Sequence, residues 1–218
     1  MKFAERVTGI FMKPEDTMKD IIKEPRIEEA LVIVGVYAIL YMLYEYFVTT
    51  RMDIIYDFPG LENSSGLKTI MMVFTLVFGL IMPFILWLII AGLLHLIAMA
   101  FGGSGKFFPN FMAGIGYSQI VKIITIIIAI LLMTQVPVFT FHISQSNPMA
   151  AVDTAKQLHT NIFYTLCQIV LLIGVIVSSI LGFFAVKDGE KLTTTQAALV
   201  VGIPLVIYLA FTIYTSFL

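Results

Sequence analysis

The chain has 218 residues, of which 59% are apolar and 12% charged, against about 25% charged in a soluble domain. Its charges fall outside long apolar runs, which excludes a water-soluble globular fold, and a net charge of −1 argues against a nucleic-acid partner. The single cysteine, Cys167, excludes an intramolecular disulfide.

Residues 1–29 read as an amphipathic preface. They are charged and carry no small-residue cleavage site, so a removable signal peptide is not expected and the first apolar helix serves as a signal anchor. Phe3, Val7, Ile10 and Phe11 recur at helical spacing. Pro14 opens a second short helix, with Glu15 and Asp16 in its first turn and Lys23 in its last. Met18, Ile21 and Ile22 form its apolar stripe, and Pro25 stops it. Helices this short gain stability from a surface, and both are expected to lie on the bilayer with the stripe down.

Residues 30–218 read as one membrane domain with spans at about 30–50, 69–101, 118–139, 162–186 and 194–217. A bilayer core takes about 20 apolar helical residues, and each run suffices. The second span carries Pro83 as an expected kink and ends at Gly102-Gly103-Ser104-Gly105. Residues 107–117 fit either a separate interfacial helix or the start of the third span. On the fourth span, Gly174, Ser178 and Gly182 form a small-residue ridge, suited to packing within one chain or between two copies in a homo-oligomer. The predicted fold class is all-α: a polytopic bundle of five transmembrane helices behind a short N-terminal segment.

Lysine and arginine set the orientation. Lys2, Arg6, Lys13, Lys19, Lys23, Arg26, Lys106, Lys187 and Lys191 fall on one side, and Arg51, Lys68 and Lys156 on the other. The positive-inside rule then puts the N-terminus in the cytoplasm and the C-terminus outside. Asn63-Ser64-Ser65 is a glycosylation triplet in the expected outer loop.

Ionisable groups inside a membrane are costly and are functional suspects. Lys122 is expected about one turn into the third span, where snorkelling to the headgroups, a structural hydrogen bond and a functional role all fit. Glu45 is expected near the outer end of the first span among Tyr41, Tyr44 and Tyr46, too far in depth to pair with Lys122. His95 reads as an interfacial or helix-packing residue, since no ligand-type residue stands at metal spacing on its helix. Gly102-Gly103-Ser104-Gly105 formally matches the Gly-x-Ser-Gly of intramembrane serine proteases, but nothing identifies a histidine base for Ser104. No phosphate-binding loop or His-Glu-x-x-His stands in the sequence. No catalytic residue, metal or cofactor is expected.

A more specific pattern joins Met12-Lys13-Pro14, Pro25, the turn Gly102-Gly103-Ser104-Gly105-Lys106-Phe107-Phe108 and then Gly116-Tyr117-Ser118 ahead of an apolar span. This arrangement resembles the Yip (Ypt-interacting protein) domain family over essentially the whole chain. The resemblance implies five spans, a cytoplasmic N-terminus and a luminal or external C-terminus, and it implies no catalytic residues. Eukaryotic members are linked to Rab-type GTPases, vesicle budding and membrane shaping. With its short preface and no Asp-Leu-Tyr-Gly-Pro motif, this chain looks more like the short prokaryotic or archaeal type.

Two functional readings follow. In the first, a non-enzymatic protein of the lipid bilayer recruits a cytoplasmic protein partner or organises membrane. Its contacts would include Gly102, Gly103, Gly105, Phe107, Gly116, Tyr117 and Ser118, besides the preface and the Lys187–Lys191 loop. In the second, a small-solute or ion transporter or channel runs its polar path along Tyr117, Ser118, Gln119 and Lys122, with Pro83 and Pro204 as kinks; Ser118 and Gln119 share a helix face with Lys122 at i, i+4 and i, i+3.

Overall fold

The computed structural model describes residues 1–58, 65–144 and 149–217. Two short helices, α1 (Phe3–Met12) and α2 (Pro14–Lys23), lead into α3 (Ile27–Arg51) and a strand, β1 (Met52–Asp57). The long α4 (Ser65–Ala100) follows, then an irregular wide turn at Phe107–Phe111, α5 (Met112–Ser118) and α6 (Ile120–Met133). Strand β2 (Phe139–Ser144), α7 (Met149–Thr160), α8 (Ile162–Gly189) and α9 (Thr194–Phe217) complete the chain.

Five helical segments are long and apolar enough to cross a membrane: Ile27–Arg51, Gly66–Ala100, Phe107–Met133, Ile162–Gly189 and Thr194–Tyr214. The chain is therefore a polytopic membrane protein with an all-α membrane domain. The spans close into a ring, each packing on the next in the order α3, α6, α8, α9, α4 and back to α3. Phe74, Phe78, Ile81, Leu88 and Leu96 of α4 remain exposed on the outside of the ring, as lipid-facing side chains should be.

Local chemistry explains the helix ends. Asn161 caps α8, its Oδ1 accepting from the N–H groups of Phe163 and Tyr164 at 3.1 Å each. Thr193 and Gln196 cap α9 reciprocally: Thr193 Oγ1 accepts from Gln196 N at 3.3 Å, and Gln196 Oε1 accepts from Thr193 N at 3.1 Å. At the end of α4 the N–H of Gly103 reaches the carbonyl of Ala98 at 2.8 Å and that of Gly102 reaches Met99 at 3.0 Å. Gly102 holds a φ of 89°, the left-handed conformation this helix stop requires.

Inside the ring, at its N-terminal-side end, stands α5, and all seven of its residues are buried. Two glycines admit its neighbours. A Cβ on Gly114 would lie 2.8 Å from Ile22 Cδ1 and 2.9 Å from Ala185 Cβ, and one on Gly116 would lie 2.7 Å from Ala30 Cβ. The Trp87 indole N–H, also buried, donates to the Met112 carbonyl at 3.1 Å.

Two expectations need correction. The preface does not lay its stripe on lipid: Ile10, Met18 and Ile21 are buried in one core with Phe111 and Ile115. The bundle itself offers the apolar surface that short helices need. Residues 107–117 belong to the third span, one of the two alternatives, and the span stops earlier than expected, at Met133 and not Phe139. Pro137 cannot continue a helix, and the β-branched and aromatic run behind it forms β2, which pairs in parallel with β1 from Met52↔Phe139 to Asp57↔Ser144. Pro83 lies inside α4, which is helical from Ser65 to Ala100. Asn63 and Ser64 of the glycosylation triplet lie outside the described residues. The ridge of α8 packs within the chain: a Cβ on Gly174 would collide with Thr125 Oγ1, and Ser178 Oγ donates to Ser118 Oγ at 3.5 Å.

Candidate functional site: a clamped face and a cavity within the membrane

At the N-terminal-side end of the bundle, α1 and α2 are fastened by a buried arginine. Arg6 is fully buried. Its Nε donates to Asp20 Oδ2 at 2.8 Å and its Nη1 to Glu29 Oε2 at 3.1 Å. Its Nη2 donates to the carbonyls of Glu24 at 2.9 Å and Asp20 at 3.5 Å. Glu29 also accepts from the Tyr117 hydroxyl of α5 and from Arg26 at 3.0 Å. One network thus ties the preface, the start of the first span and the buried plug. Burial opposes the charge on Arg6, but hydrogen bonds to Asp20 and Tyr117 prevail and hold its pKa above the usual arginine value. Burial likewise opposes the Asp20 carboxylate, but hydrogen bonds from Arg6 and the N-terminal ammonium, together with their charges, outweigh it, so Asp20 titrates below its usual range.

A second fastening joins α2 to α8. Glu15 Oε1 accepts from Lys187 Nζ and from Lys19 Nζ, each at 2.9 Å. The hydrogen bond from Lys187, then that from Lys19, draw the Glu15 pKa from 4.5 down to about 2. A folded-state pKa below the unfolded one stabilises above the unfolded value and is lost as pH falls through the folded value. Thermal melts should therefore show the wild type losing more of its midpoint than Glu15→Gln between pH 4.5 and about 2. Equal losses would remove this pair from the docking of α2. The pair is exposed, so the difference should be small.

The glycine turn is held by Glu190, the fully buried residue that ends α8. Its Oε1 lies 2.6 Å from His95 Nδ1, and its Oε2 accepts from Gly105 N at 3.2 Å. Its backbone carbonyl accepts from Ser104 N at 3.1 Å. Gln196 Nε2 adds a bond to the Phe101 carbonyl at 2.9 Å. The His95 ring packs against Phe107 and Phe111, with centroids 5.2 and 5.9 Å away. His95 is thus a packing histidine bonded to Glu190, and it fixes the turn against the α8–α9 connection.

Deeper in the bundle, α3, α6, α8 and α9 surround a cavity of about 320 Å³. Tyr37, Tyr41, Tyr44, Tyr164 and Tyr208 line it together with Glu45, Lys122, Thr125, Gln168 and Thr212. Lys122 Nζ sits 5.9 Å from the centre of the Tyr37 ring, a cation–π contact. Glu45 and Tyr41 also wall a neighbouring groove of about 380 Å³ that is lined by Met71, Phe74, Phe78 and Met82.

The residues singled out in the sequence thus fall in three places. Gly102, Gly103, Gly105 and Phe107 form the clamped turn. Gly116, Tyr117 and Ser118 are buried in α5, where Ser118 Oγ donates to the Ile115 carbonyl at 2.7 Å. Lys122 stands apart in the cavity. The expected polar line is broken because the helix breaks at Gln119, whose amide is buried and donates to the Ile115 carbonyl at 3.3 Å. Lys122 does not sit one turn from the interface. The span Phe107–Met133 begins well before it, and Lys122 lines an interior cavity. Glu45 and Lys122 therefore share a cavity despite the expected difference in depth, although no ion pair joins them among the described residues. Tyr44 is buried and not part of an interfacial belt.

Sequence reasoning missed Arg6, Glu29 and Glu190. Arg6 had a signal: it stands four residues before Ile10, on the apolar face of α1. Glu190 had none, because its partner lies far away in sequence on another helix. Among the described residues, no group of three or more His, Cys, Asp or Glu is arranged to hold a metal ion. No curated protein and no solved structure matches the chain. The clamped glycine turn, α2 and the five spans lie within residues 8–215, which match the Yip1 domain, and the chain belongs to that family.

Proposed function

We propose that this protein acts without catalysis, as a scaffold of the short prokaryotic or archaeal type that recruits a partner protein to a rigid face at one end of its bundle. The positive-inside rule supports a cytoplasmic location for that face, with the C-terminus outside. The observation that carries the reading is what remains uncovered once α1, α2 and the glycine turn are locked down. Met12 is 81% exposed, Phe108 61% and Phe11 50%. Large apolar side chains held out from immobilised backbone suit a contact surface, since little ordering entropy remains to be lost on binding.

The docked preface also dictates the experiment. Removing residues 2–29 would strip Met18 and Ile21 from the core, so point changes are the sounder test. A photo-crosslinker at Lys106, within the turn, should capture a discrete protein band in membranes. Phe11→Glu with Met12→Glu should abolish that band while leaving the melting midpoint unchanged. If crosslinks reach only lipid or further copies of the chain, recruitment of a distinct partner through this face is wrong.

The cavity favours a second reading, a small-solute or ion path through Lys122. Gln119 contributes nothing to such a path, being buried against Ile115. Loss of a defined solute flux in Lys122→Ala proteoliposomes would establish it.

A further inference from the structure

We propose that the cavity between α3, α6, α8 and α9 binds the phosphate group of an amphiphile, with Lys122 as the cationic anchor. This goes beyond partner recruitment and does not depend on it. Three observations carry it. The first is the isolation of Lys122: among the described residues its side chain makes no ion pair or hydrogen bond, and its contact is the Tyr37 ring. A charged group at that depth is costly unless something compensates it, and an oxyanion would.

The second is the lining. Besides the lysine, Tyr37, Tyr41, Tyr164, Tyr208 and Gln168 line the same space with hydroxyl and amide side chains. These are donors suited to the several acceptor oxygens of a phosphate, which lysine binds as a point charge. The volume of about 320 Å³ falls within the roughly 300–1,000 Å³ of small-molecule sites.

The third is polarity along the site. Lys122 lies beside Tyr37, whereas Glu45 is eight residues further along α3, about 12 Å at 1.5 Å per residue. The acidic end repels a second anion and orients the phosphate towards Lys122. At that same end, Tyr41 and Glu45 are shared with the groove of Met71, Phe74, Phe78 and Met82, which offers an acyl chain a path to the lipid-facing side of α4. A phosphate source with a chain fits both compartments, and a soluble phosphate ester fits only the first.

The test uses the purified full-length chain in a non-ionic detergent, with thermal midpoint as readout, since a ligand selective for the folded state raises it. Dioctanoyl phosphatidic acid should raise the midpoint, and dioctanoylglycerol, which lacks the phosphate, should not. Glycerol 3-phosphate should act at least tenfold more weakly than phosphatidic acid; equal potency would overturn the amphiphile in favour of a soluble ester. Lys122→Met should weaken phosphatidic acid at least tenfold, Lys122→Arg should retain it, and Lys191→Met should leave it unchanged. Removing an unpaired charge should not lower the unliganded midpoint, so a Lys122→Met chain that fails to fold would make Lys122 structural and sink the proposal. An unchanged response in Lys122→Met would sink it as well.

Discussion

Arg6→Ala is expected to destabilise the protein by about 3 kcal/mol, the lower end of the roughly 3–5 kcal/mol range for breaking a buried ion pair, and to release α1 and α2 from the bundle. The guanidinium is fully buried and distributes its donors over Asp20, Glu29 and the carbonyls of Glu24 and Asp20. Truncation leaves two carboxylates and two carbonyls facing a void. The lower end applies because Asp20 keeps some solvent access and Glu29 retains bonds from Arg26 and Tyr117. Hydrogen exchange over residues 3–23 reads the release directly: amides of α1 and α2 should lose protection while those of α8 keep theirs. Arg6→Lys should recover only part of the loss, because an ammonium has three donors and no planar fork to reach acceptors on opposite sides. Protection equal to wild type in Arg6→Ala would mean that Ile10, Met18 and Ile21 hold the preface by apolar packing alone.

The same network shows where sequence reasoning reaches and where it stops. Apolar run length shows the five spans because the bilayer imposes one thickness on all of them. Periodicity shows α1 and α2 because an apolar stripe must be covered by something. It cannot say what covers the stripe, and bilayer and bundle present the same apolar chemistry to Met18 and Ile21. The bundle wins through polar contacts that are non-local: Arg6 with Glu29, Glu15 with Lys187. The limit of the third span follows the same logic. Met112–Ser118 fits an interfacial helix as well as a span because it is rich in small and polar residues. Those residues let it enter the crowded interior, where Gly114 and Gly116 leave room for Ile22 and Ala30. Once α5 is inside, Lys122 is carried with it from the headgroup region into the cavity. The family pattern marked the glycine turn, and the turn is indeed a backbone device, but its partner Glu190 belongs to no local motif.

That device yields the other large effect. Three glycines that look alike in sequence should respond to alanine in a fixed order, because each is required for a different reason. Gly105 is the most constrained: a Cβ there would collide with the Gly189 carbonyl oxygen and lie 2.9 Å from Glu190 Cα. Backbone cannot rotate away as a side chain can, so Gly105→Ala must push the turn off the α8–α9 connection. That strains the Gly105 and Ser104 bonds to Glu190 together, at about 2–3 kcal/mol for overpacking at a rigid contact. Gly102 has open space around it but a φ of 89°; alanine there costs about 1–2 kcal/mol of left-handed strain and leaves the clamp intact. Gly92 lies within α4 with nothing within 4 Å of its added Cβ, so alanine should be neutral or stabilising by roughly 0.5–1 kcal/mol through helix propensity. Thermal midpoints should therefore fall in the order Gly92→Ala, Gly102→Ala, Gly105→Ala. Ring-proton resonances of His95 should shift only in the last, where Glu190 is displaced. If Gly105→Ala melts with the wild type and leaves those resonances in place, the turn is not clamped by Glu190, and the rigid face built on it loses its foundation.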